Sequence, residues 1–419
     1  MHPTRNFTFS CLALVMLIGL SGQVFATSLE VGLCAAPGTH YTTINAAVTA
    51  APVGSTIRVC PGTYPEQVTI NKSLTLLGIA SGTSDAPVVV VPTTGLVQNG
   101  LDIFSQPVAA QIFVQGAALV TISHLTVDGS GNGLSGCGVD PIGIYYQNSS
   151  GTITANAVRN QLMDPADQGC QVGLAINVES NAGALPVTIS NNSVRNYDKN
   201  GITASGPGDG NPGPSVKVTG NTVIGIGATP VIAQNGIQIG YGATGSVTSN
   251  NVADDIYTGS FYGSSGILIY ASNGVTVTGN TVESTQYGIV PASDPNYGTA
   301  NGTIIKSNHV GGTQTFDGID LCSDGNTAQS NVVYGSAESG IHVDGECSPS
   351  TGINNTVTGN TINEACAGIL LGTGTPNTIG SNFFSNVTNT KLAGDTCTPS
   401  YGPSEKHQSR RPSPYKMKN

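Results

Sequence analysis

The chain has 419 residues, of which 38% are hydrophobic, 9% are charged and 5% are aromatic, and it contains 56 Gly and no Trp. This composition argues against a disordered chain, which needs more charge, and against a helical bundle, which needs more Glu, Lys and Arg. The formal net charge of -10 argues against nucleic acid as a partner, because affinity for nucleic acid depends on neutralising phosphates. Abundant Gly, Thr, Asn, Val and Ile favour short strands joined by tight turns.

The N-terminal segment has the pattern of a secretory signal peptide. A short cationic start at residues 2–5 precedes an apolar run at residues 12–20, and a cleavage-type sequence follows at residues 24–26. We therefore predict a signal peptide over residues 1–26, cleaved near Ala26, and a mature protein that is secreted, periplasmic or on the cell surface. The apolar run is too short to span a bilayer comfortably and no later segment is long enough, so we predict no membrane span.

Eight cysteines follow the predicted signal peptide. An even number of cysteines in an exported chain indicates disulfides, and we predict that they pair in sequential order. No Cys-x-x-Cys spacing occurs, which argues against a zinc or redox site built from these thiols. The eight are Cys34, Cys60, Cys137, Cys170, Cys322, Cys347, Cys366 and Cys397.

One sequence pattern recurs nine times: an aliphatic or small residue, two further positions, an Asn, one position, and then Val, Ile or Phe. The Asn residues are Asn156, Asn192, Asn221, Asn250, Asn280, Asn308, Asn331, Asn360 and Asn382. Successive Asn are 22 to 36 residues apart, and a Gly followed by Ile, Leu or Val lies between them. We therefore predict at least two short strands in each repeat.

Such short strands cannot bury an apolar face alone. Alternation places Val275, Val277 and Val282 on one side of the strands and Thr276 and Thr278 on the other, so stacked coils would bury the Val side continuously. Equivalent Asn side chains would then pair from coil to coil. The sequence predicts an all-β chain folded as a single-stranded parallel β-helix, because the Leu consensus of leucine-rich repeats and the longer repeat of a propeller are both missing.

The N-terminal region resembles the first coils of pectin methylesterase-like and NosD-like members of the pectin-lyase-like superfamily of right-handed parallel β-helix proteins. The resemblance lies in residues 41–52, 57–66 and 74–78. It implies a short α-helix over residues 42–50 that caps the open end of the β-helix. The expected organisation is one monomeric domain over residues 27–399, with a cap at 34–78, repeats at about 118–390 and a disordered basic tail at 400–419.

The catalytic motifs of the enzymes in this superfamily are missing, so the resemblance assigns no catalytic residue. The serial Asn-Thr-Asp, Asp-Asp and Gly-His-Gly motifs of polygalacturonase-like hydrolases are reduced to Asp254-Asp255. The segments typical of pectin methylesterases and the Arg-rich motif of pectate lyases do not occur. The fold hosts both enzymes and binding modules, so function has to come from side-chain constellations.

The first candidate constellation lies where long loops leave the repeats. Arg159 and Arg195 each lie three residues after a repeat Asn, which predicts that they stack, with Tyr197 and Lys199 in the short loop between two long ones. Arg can bind a carboxylate through two hydrogen bonds. With Lys199 or Tyr197 as the base, this set would suit β-elimination in a uronate polysaccharide.

The same edge carries candidate metal and sugar-binding residues. Asp254 and Asp255 offer oxygen ligands for Ca²⁺, and Tyr257, Phe261 and Tyr262 offer flat apolar faces to sugar rings. The alternative is structural: the arginines would form surface ion pairs, and the Asp254-Asp255 pair would be a solvated turn.

A second candidate cluster lies further along the chain. Gly318 and Gly340 are 22 residues apart, which predicts that Asp320 stacks beside His342 with Asp317 nearby. Carboxylates beside an imidazole suit acid–base hydrolysis or metal binding. A disulfide between neighbouring cysteines would instead favour a structural role.

Two functional hypotheses result from these features. The first is an exported enzyme acting on extracellular polysaccharide, a uronate lyase or a glycoside hydrolase, with calcium as a candidate cofactor. The second is a non-catalytic carbohydrate-binding or cell-surface module. Metal handling of the NosD type is disfavoured at this level, because the chain has only 4 Met and no cluster of His.

Overall fold

Short strands that pair in parallel with their equivalents one coil away make up most of the computed structural model. The structure describes residues 28–34, 39–80, 87–208, 210–260, 262–313, 315–372 and 376–398. The predicted signal peptide and the basic tail lie outside these residues. The strand order is that of a parallel β-helix, and parallel crossovers of this kind are right-handed, which confirms the predicted fold.

The helix α1 spans Ile44–Ala50. The strands are β1 Ser28–Val31, β2 His40–Tyr41, β3 Ser55–Val59, β4 Thr63–Pro65, β5 Val68–Ile70, β6 Leu74–Gly78, β7 Val88–Val90, β8 Gly100–Leu101, β9 Pro107–Gln115, β10 Val120–Ser123, β11 Thr126–Asp128, β12 Asp140–Gln147, β13 Gly151–Thr154, β14 Ala157–Gln161, β15 Leu174–Glu179, β16 Pro186–Ser190, β17 Ser193–Tyr197, β18 Asn200–Ser205, β19 Ser215–Thr219, β20 Thr222–Thr229, β21 Asn235–Gly240, β22 Thr244–Thr248, β23 Asn251–Tyr257, β24 Ser265–Tyr270, β25 Thr276–Thr278, β26 Thr281–Glu283, β27 Tyr287–Ala292, β28 Ile304–Lys306, β29 His309–Gly311, β30 Ile319–Leu321, β31 Thr327–Gln329, β32 Val332–Val343, β33 Thr356–Thr358, β34 Thr361–Leu371, β35 Thr378–Ile379 and β36 Phe383–Ala393.

The strands form three stacks around the interior. The first stack runs β2-β1-β3-β6-β10-β13-β16-β19-β22-β25-β28-β31-β33-β35. The second runs β4-β7-β11-β14-β17-β20-β23-β26-β29, and the third runs β5-β9-β12-β15-β18-β21-β24-β27-β30. The long strands β32, β34 and β36 continue both the second and the third stack. A regular coil therefore contributes three strands.

The interior follows the predicted alternation. Val275, Val277 and Val282 are completely buried, whereas Thr276 and Thr278 point outward and are half-buried. Equivalent aliphatic residues of successive coils join one continuous core. Because strands lie about 4.8 Å apart, each coil covers the apolar side chains of the next, and burial needs no second layer.

The nine repeat Asn form the predicted ladder through the interior. Nδ2 of each of the first eight donates to Oδ1 of the next at 2.9–3.1 Å. The same oxygen accepts the backbone N–H of the preceding ladder residue at 2.9–3.0 Å. The ladder thus supplies partners to buried amide groups at the bend between the first and second stacks.

Two bends with positive φ bracket most strands of the second stack that follow a ladder Asn. The residue before each of the first eight ladder Asn has a φ between 54° and 68°, and these residues are Ala155, Asn191, Gly220, Ser249, Gly279, Ser307, Ser330 and Gly359. A second bend lies four residues after the ladder Asn, at Asn160, Asn196 and Asp254 among others, with φ of 61°, 54° and 64°. Gly and Asn adopt this conformation at the lowest cost, which accounts for their presence at many of these positions.

The cysteines pair in sequential order, as predicted. The disulfides are Cys34–Cys60, Cys137–Cys170, Cys322–Cys347 and Cys366–Cys397. The disulfide Cys34–Cys60 lies at the N-terminal end of the β-helix. The disulfide Cys366–Cys397 links the segment after β36 to β34. Both ends of the solenoid are therefore covalently closed against fraying.

The N-terminal cap contains the predicted helix. Thr43 caps α1, with its hydroxyl accepting from the Ala46 N–H at 3.2 Å. The Glu66 carboxylate accepts from the N–H groups of Ile44 and Asn45 at 2.8 and 2.9 Å, which places negative charge at the positive end of the helix. Within the described part of the chain, no helix is long and apolar enough to cross a membrane.

Candidate functional site

The predicted pair of arginines lies side by side but is not available as a pair. Arg159 and Arg195 are register partners in β14 and β17, as predicted. Arg159 Nε lies 2.8 Å from Asp128 Oδ2, so that guanidinium is already neutralised by a carboxylate of the preceding coil. Arg195 is exposed, and its Nη2 donates to the hydroxyl of Ser193 at 3.2 Å. Only Arg195 projects freely enough to meet a substrate.

Tyr197 and Asp255 point into the coil, contrary to the predicted placement on the binding edge. Both side chains are completely buried, and the Tyr197 hydroxyl donates to Asp255 Oδ1 at 2.7 Å. The bends at Asn196 and Asp254 are the reason, because a residue with positive φ reverses the alternation and turns the following side chain inward. The sequence analysis placed Tyr197 in a short loop, whereas it is the last residue of β17, and Asp255 lies within β23.

Lys199 is not placed to act as a base. Its side chain is buried, and its Nζ donates to the carbonyl oxygen of Ala233 at 2.7 Å. Burial lowers the pKa of Lys199 to about 8, so the ammonium form still prevails at neutral pH. With Tyr197 inside the coil, the structure does not assemble the predicted elimination site.

The predicted calcium pair is split by the backbone. Asp255 is buried against Tyr197, while Asp254 lies at the bend and is half-buried. Burial raises the pKa of Asp255 well above its usual value, which favours a neutral carboxyl rather than a ligand for a cation. The structure therefore gives no support to calcium binding between these two residues.

The aromatic residues of this edge are only partly on the surface. Tyr257 is buried, with its ring 6.1 Å from that of the half-buried Tyr262. Phe261 lies outside the described residues. A sugar-stacking surface formed by these residues stays a prediction.

The second predicted cluster is assembled as a compact group, here called the acid–histidine cluster: Asp317, Asp320, His342 and Asp344. Asp320 and His342 are register partners in β30 and β32, as predicted. Nδ1 of His342 lies 3.5 Å from Asp317 Oδ2, 3.7 Å from Asp320 Oδ1 and 3.9 Å from Asp344 Oδ2. All four side chains are buried, and the Ser339 hydroxyl donates to Asp317 at 2.6 Å. The carboxyl oxygens and the imidazole nitrogen lie close enough together to offer ligands to one metal ion.

A larger feature, which the sequence did not predict, is the outward face of the third stack. In β24, Ile267 and Ile269 join the main core, whereas Leu268 and Tyr270 join a separate cluster on the other side of the strand. Both faces of this stack are therefore buried, the outer one beneath loops. Such a covered sheet face is a place where a ligand can be enclosed.

The middle coils of this outward face are amide-rich. We call Asn177, Asn200, Thr203, Asn235 and Gln238 the amide patch. Register pairs join these residues across β15, β18 and β21, and all five are buried. A signal was available in the sequence, because a polar residue precedes the Gly of the repeat in the segments Asn200-Gly201-Ile202 and Asn235-Gly236-Ile237.

A carboxylate and a hairpin adjoin the amide patch. Glu179, two residues after Asn177, accepts from the Tyr145 hydroxyl at 2.5 Å and from Asn177 Nδ2 at 3.0 Å. It also accepts from the Ile103 N–H at 3.3 Å. Ile103 lies in the tip of the antiparallel hairpin that β8 and β9 form. Burial raises the pKa of Glu179 to about 7, and the hydrogen bonds from Tyr145 and Asn177 oppose this rise.

Comparison with known proteins places the chain among the parallel β-helix proteins. The family model for "Periplasmic copper-binding protein (NosD)" matches residues 97–299 and 233–408, which together span most of the chain. No curated protein matches the sequence.

Solved structures are similar in fold. The GH136 lacto-N-biosidase from Eubacterium ramulus has a TM-score of 0.52 and 10% identity, and the match covers 88% of this chain and 68% of that one. The A-module of mannuronan C-5 epimerase AlgE4 from Azotobacter vinelandii has a TM-score of 0.48 and 13% identity, with 86% and 94% covered. PfbA, a surface adhesin of Streptococcus pneumoniae, has a TM-score of 0.47 and 14% identity, with 83% and 86% covered. At the identity of the biosidase, the similarity concerns the fold alone.

Proposed function

The chain belongs to the NosD family of parallel β-helix proteins, and we propose that, within this fold, it is an exported protein that binds extracellular polysaccharide. The observation that carries the proposal is the outward face of the third stack, where amides, a carboxylate and aromatic rings line one covered surface across several coils. Sugars bind to proteins through hydroxyl–amide hydrogen bonds and ring contacts, and this surface offers both. The names of the similar structures describe those proteins and add only the shared fold.

Binding without cleavage is the form of this function that the geometry favours. A lyase needs an accessible base beside a carboxylate-binding cation. Tyr197 is buried, and the Lys199 ammonium donates to a carbonyl, so Arg195 has no base beside it among the residues predicted for that role. A uronate lyase built on Arg159 and Arg195 is the enzymatic version of the proposal and is tested by the same experiment.

The test combines a glycan array with a turnover assay on the mature protein. We expect binding to at least one class of polysaccharide and no unsaturated product from pectin or alginate. Arg195→Ala should leave binding within twofold, whereas in a lyase it should lower the rate at least a hundredfold. Absence of binding to every glycan would overturn the proposal, and formation of unsaturated product that depends on Arg195 would replace it with the lyase.

Cation binding at the acid–histidine cluster is a second candidate function. It is favoured by the three carboxylate oxygens within 3.9 Å of His342 Nδ1 and agrees with the name of the family model. Nitrogen and carboxylate donors suit Cu²⁺ or Zn²⁺, whereas Cu⁺ prefers sulfur. The nearby Cys322 and Cys347 form a disulfide and supply no thiolate. When bound, the cation would neutralise the cluster and join β30 to β32.

Thermal unfolding with and without metal ions tests this candidate. A cation that binds the native state should stabilise it by about 2.7 kcal/mol at a hundred times its Kd. We expect Cu²⁺ to raise Tm in the wild type and in Asp254→Asn but not in Asp320→Asn. An equal response of Asp320→Asn and the wild type would contradict the assignment. A rise in Tm with Ca²⁺ that is lost in Asp254→Asn would instead support the calcium pair predicted from the sequence.

A further inference from the structure

Two buried polar atoms of the amide patch have no hydrogen-bond partner. These atoms are Asn177 Oδ1 and Thr203 Oγ1. The two residues are only 1% and 4% exposed. The two residues are register partners in β15 and β18, so the atoms lie on neighbouring coils of the same outward face. Leaving a buried polar group unpaired costs about 1–3 kcal/mol, so two adjacent ones point to a missing partner.

The rest of the patch is ordered by its own hydrogen bonds. Asn235 Nδ2 donates to Asn200 Oδ1 at 3.1 Å, and both Asn200 and Asn235 donate weakly to Gln238 Oε1 at 3.3 Å. Ser265, on the next coil, has a buried hydroxyl oxygen without a partner as well. The patch therefore offers fixed donors and acceptors together with unused ones, over three coils and about 10 Å.

Aromatic rings bound the patch at both ends. On the N-terminal side Tyr145, the register partner of Asn177, is stacked on Phe113 with a centroid distance of 5.0 Å. On the C-terminal side Tyr241 makes edge contacts with Tyr270 and Tyr297 at 5.4 and 5.0 Å. The patch is thus a polar floor between two aromatic walls.

The hairpin of β8 and β9 reaches over this floor. Its tip touches Glu179 of β15 through the Ile103 N–H, and the ring of Phe104 lies 5.4 Å from that of Tyr241, so the tip extends from the coil of β15 to that of β21. Phe104 is nevertheless 46% exposed. The base of the hairpin is anchored, because Gln147 Nε2 donates to the Leu101 carbonyl at 2.6 Å and Gln106 Nε2 donates to the Gly138 carbonyl at 3.1 Å. The tip is held by the long hydrogen bond to Glu179 and the ring contact of Phe104, so the tip is the part that can open to admit a ligand.

The charges near the patch disfavour an anionic ligand. Glu179 lies beside it, with the carboxyl groups of Asp102 and Asp140 close enough to raise one another's pKa. Lys199, the residue before Asn200, donates to the Ala233 carbonyl. A uronate carboxylate would add negative charge beside carboxyl groups whose pKa values are already raised, whereas sugar hydroxyls can both accept from and donate to the unused groups.

We propose that the amide patch is the binding site for a neutral oligosaccharide segment, enclosed beneath the β8–β9 hairpin. This inference rests on the proposed function and narrows it to neutral sugars, against the uronate predicted from the sequence. Thr203 donates to or accepts from a sugar hydroxyl, Asn177 Oδ1 accepts from another, and the walls contact the ring faces.

Calorimetry with neutral and acidic oligosaccharides on Thr203→Val tests the inference. Valine keeps the shape of threonine and removes the unpaired hydroxyl, so the variant should fold with an equal or higher Tm. The probes are lactose, cellobiose and xylobiose against oligogalacturonate and oligomannuronate. We expect the wild type to bind a neutral probe and Thr203→Val to bind it at least tenfold more weakly. The matched control is Thr276→Val on the outward side of the first stack, which should bind as the wild type does.

Each alternative result has a definite meaning. Binding of a neutral glycan that is unchanged in Thr203→Val would overturn the site while leaving the proposed function intact. Preferential binding of the acidic probes would overturn the ligand class. Absence of binding to any glycan would overturn both, as would a crystal structure soaked with the neutral probes in which ordered water alone satisfies Asn177 and Thr203.

Discussion

The buried pair of Tyr197 and Asp255 illustrates how a single bend residue decides the role of its neighbour. The two residues occupy the same inward position of coils that are not adjacent, and their side chains meet across the intervening coil at 2.7 Å. Gly225 of that coil makes this possible, because a Cβ there would lie 2.8 Å from Asp255 Oδ1. The pair is a neutral internal bridge, since burial raises the pKa of both groups.

Glu179 is the residue whose ionisation should be visible in the stability of the protein. Its pKa of about 7 in the folded state exceeds its ordinary value of 4.5, so the folded state binds more protons than the unfolded state between these pH values. Stability is therefore highest at the acidic end and falls as pH rises toward 7. At 1.36 kcal/mol per unit, the loss is about 3 kcal/mol at most.

Urea unfolding of Glu179→Gln between pH 4.5 and 7.5 measures this contribution. We expect the free energy of unfolding of the variant to rise steadily relative to that of the wild type as pH increases, by up to about 3 kcal/mol at pH 7.5. Glu364→Gln, which changes an exposed carboxylate, is the control and should run parallel to the wild type. A constant difference between Glu179→Gln and the wild type would refute the linkage.

At the scale of elements, the Asn ladder and the three stacks depend on one another. Each of the first eight ladder residues donates to the coil after it and also to a carbonyl of the coil before it, as Asn280 does to Asn308 and Val247 at 2.9 Å. An interior ladder residue therefore connects three coils. The positive-φ residue before a ladder Asn directs the Asn side chain into the interior, and the strand pairing in the stacks keeps successive coils in register.

Truncation of the ladder should cost most in the middle. Asn280→Ala leaves the Asn250 N–H without its acceptor and removes the donation of Asn280 Nδ2 to Asn308 Oδ1 and to the Val247 carbonyl, although Asn308 Oδ1 keeps the backbone N–H of residue 280. We expect a loss of about 4 kcal/mol. Asn382→Ala removes the half-buried last member and should cost about 1 kcal/mol. The midpoints of urea unfolding of the two variants provide the comparison. Equal losses would mean that the ladder is not a cooperative device.

At the scale of the molecule, the solenoid separates stability from function. The inward side of every coil belongs to one apolar core, so the outward side of the third stack can carry polar groups without weakening it. Along this face the amide patch, an aromatic strip around Tyr270 and the acid–histidine cluster follow one another. The two proposed sites, one for a neutral glycan and one for a cation, therefore lie on different coils of the same surface.

Several features of this protein were determined by the sequence alone. The repeat of Asn and aliphatic residues predicted the parallel coils, the ladder and the inward Val277 side chain, because these depend on local alternation and on the spacing of equivalent positions. The even number of cysteines predicted disulfides, and the 22-residue spacing of Gly318 and Gly340 predicted the contact of Asp320 with His342. The family resemblance and the cap helix were likewise accessible.

Only the tertiary structure decided which side chains face a ligand. The conformation of Asn196 and Asp254 reverses the alternation, which no residue count reveals, and it moved Tyr197 and Asp255 from the predicted site to the interior. The amide patch became visible only when loops and the β8–β9 hairpin were seen to cover the third stack. Burial of an outward face depends on segments distant in the chain, because Ile103 meets Glu179 across 76 residues.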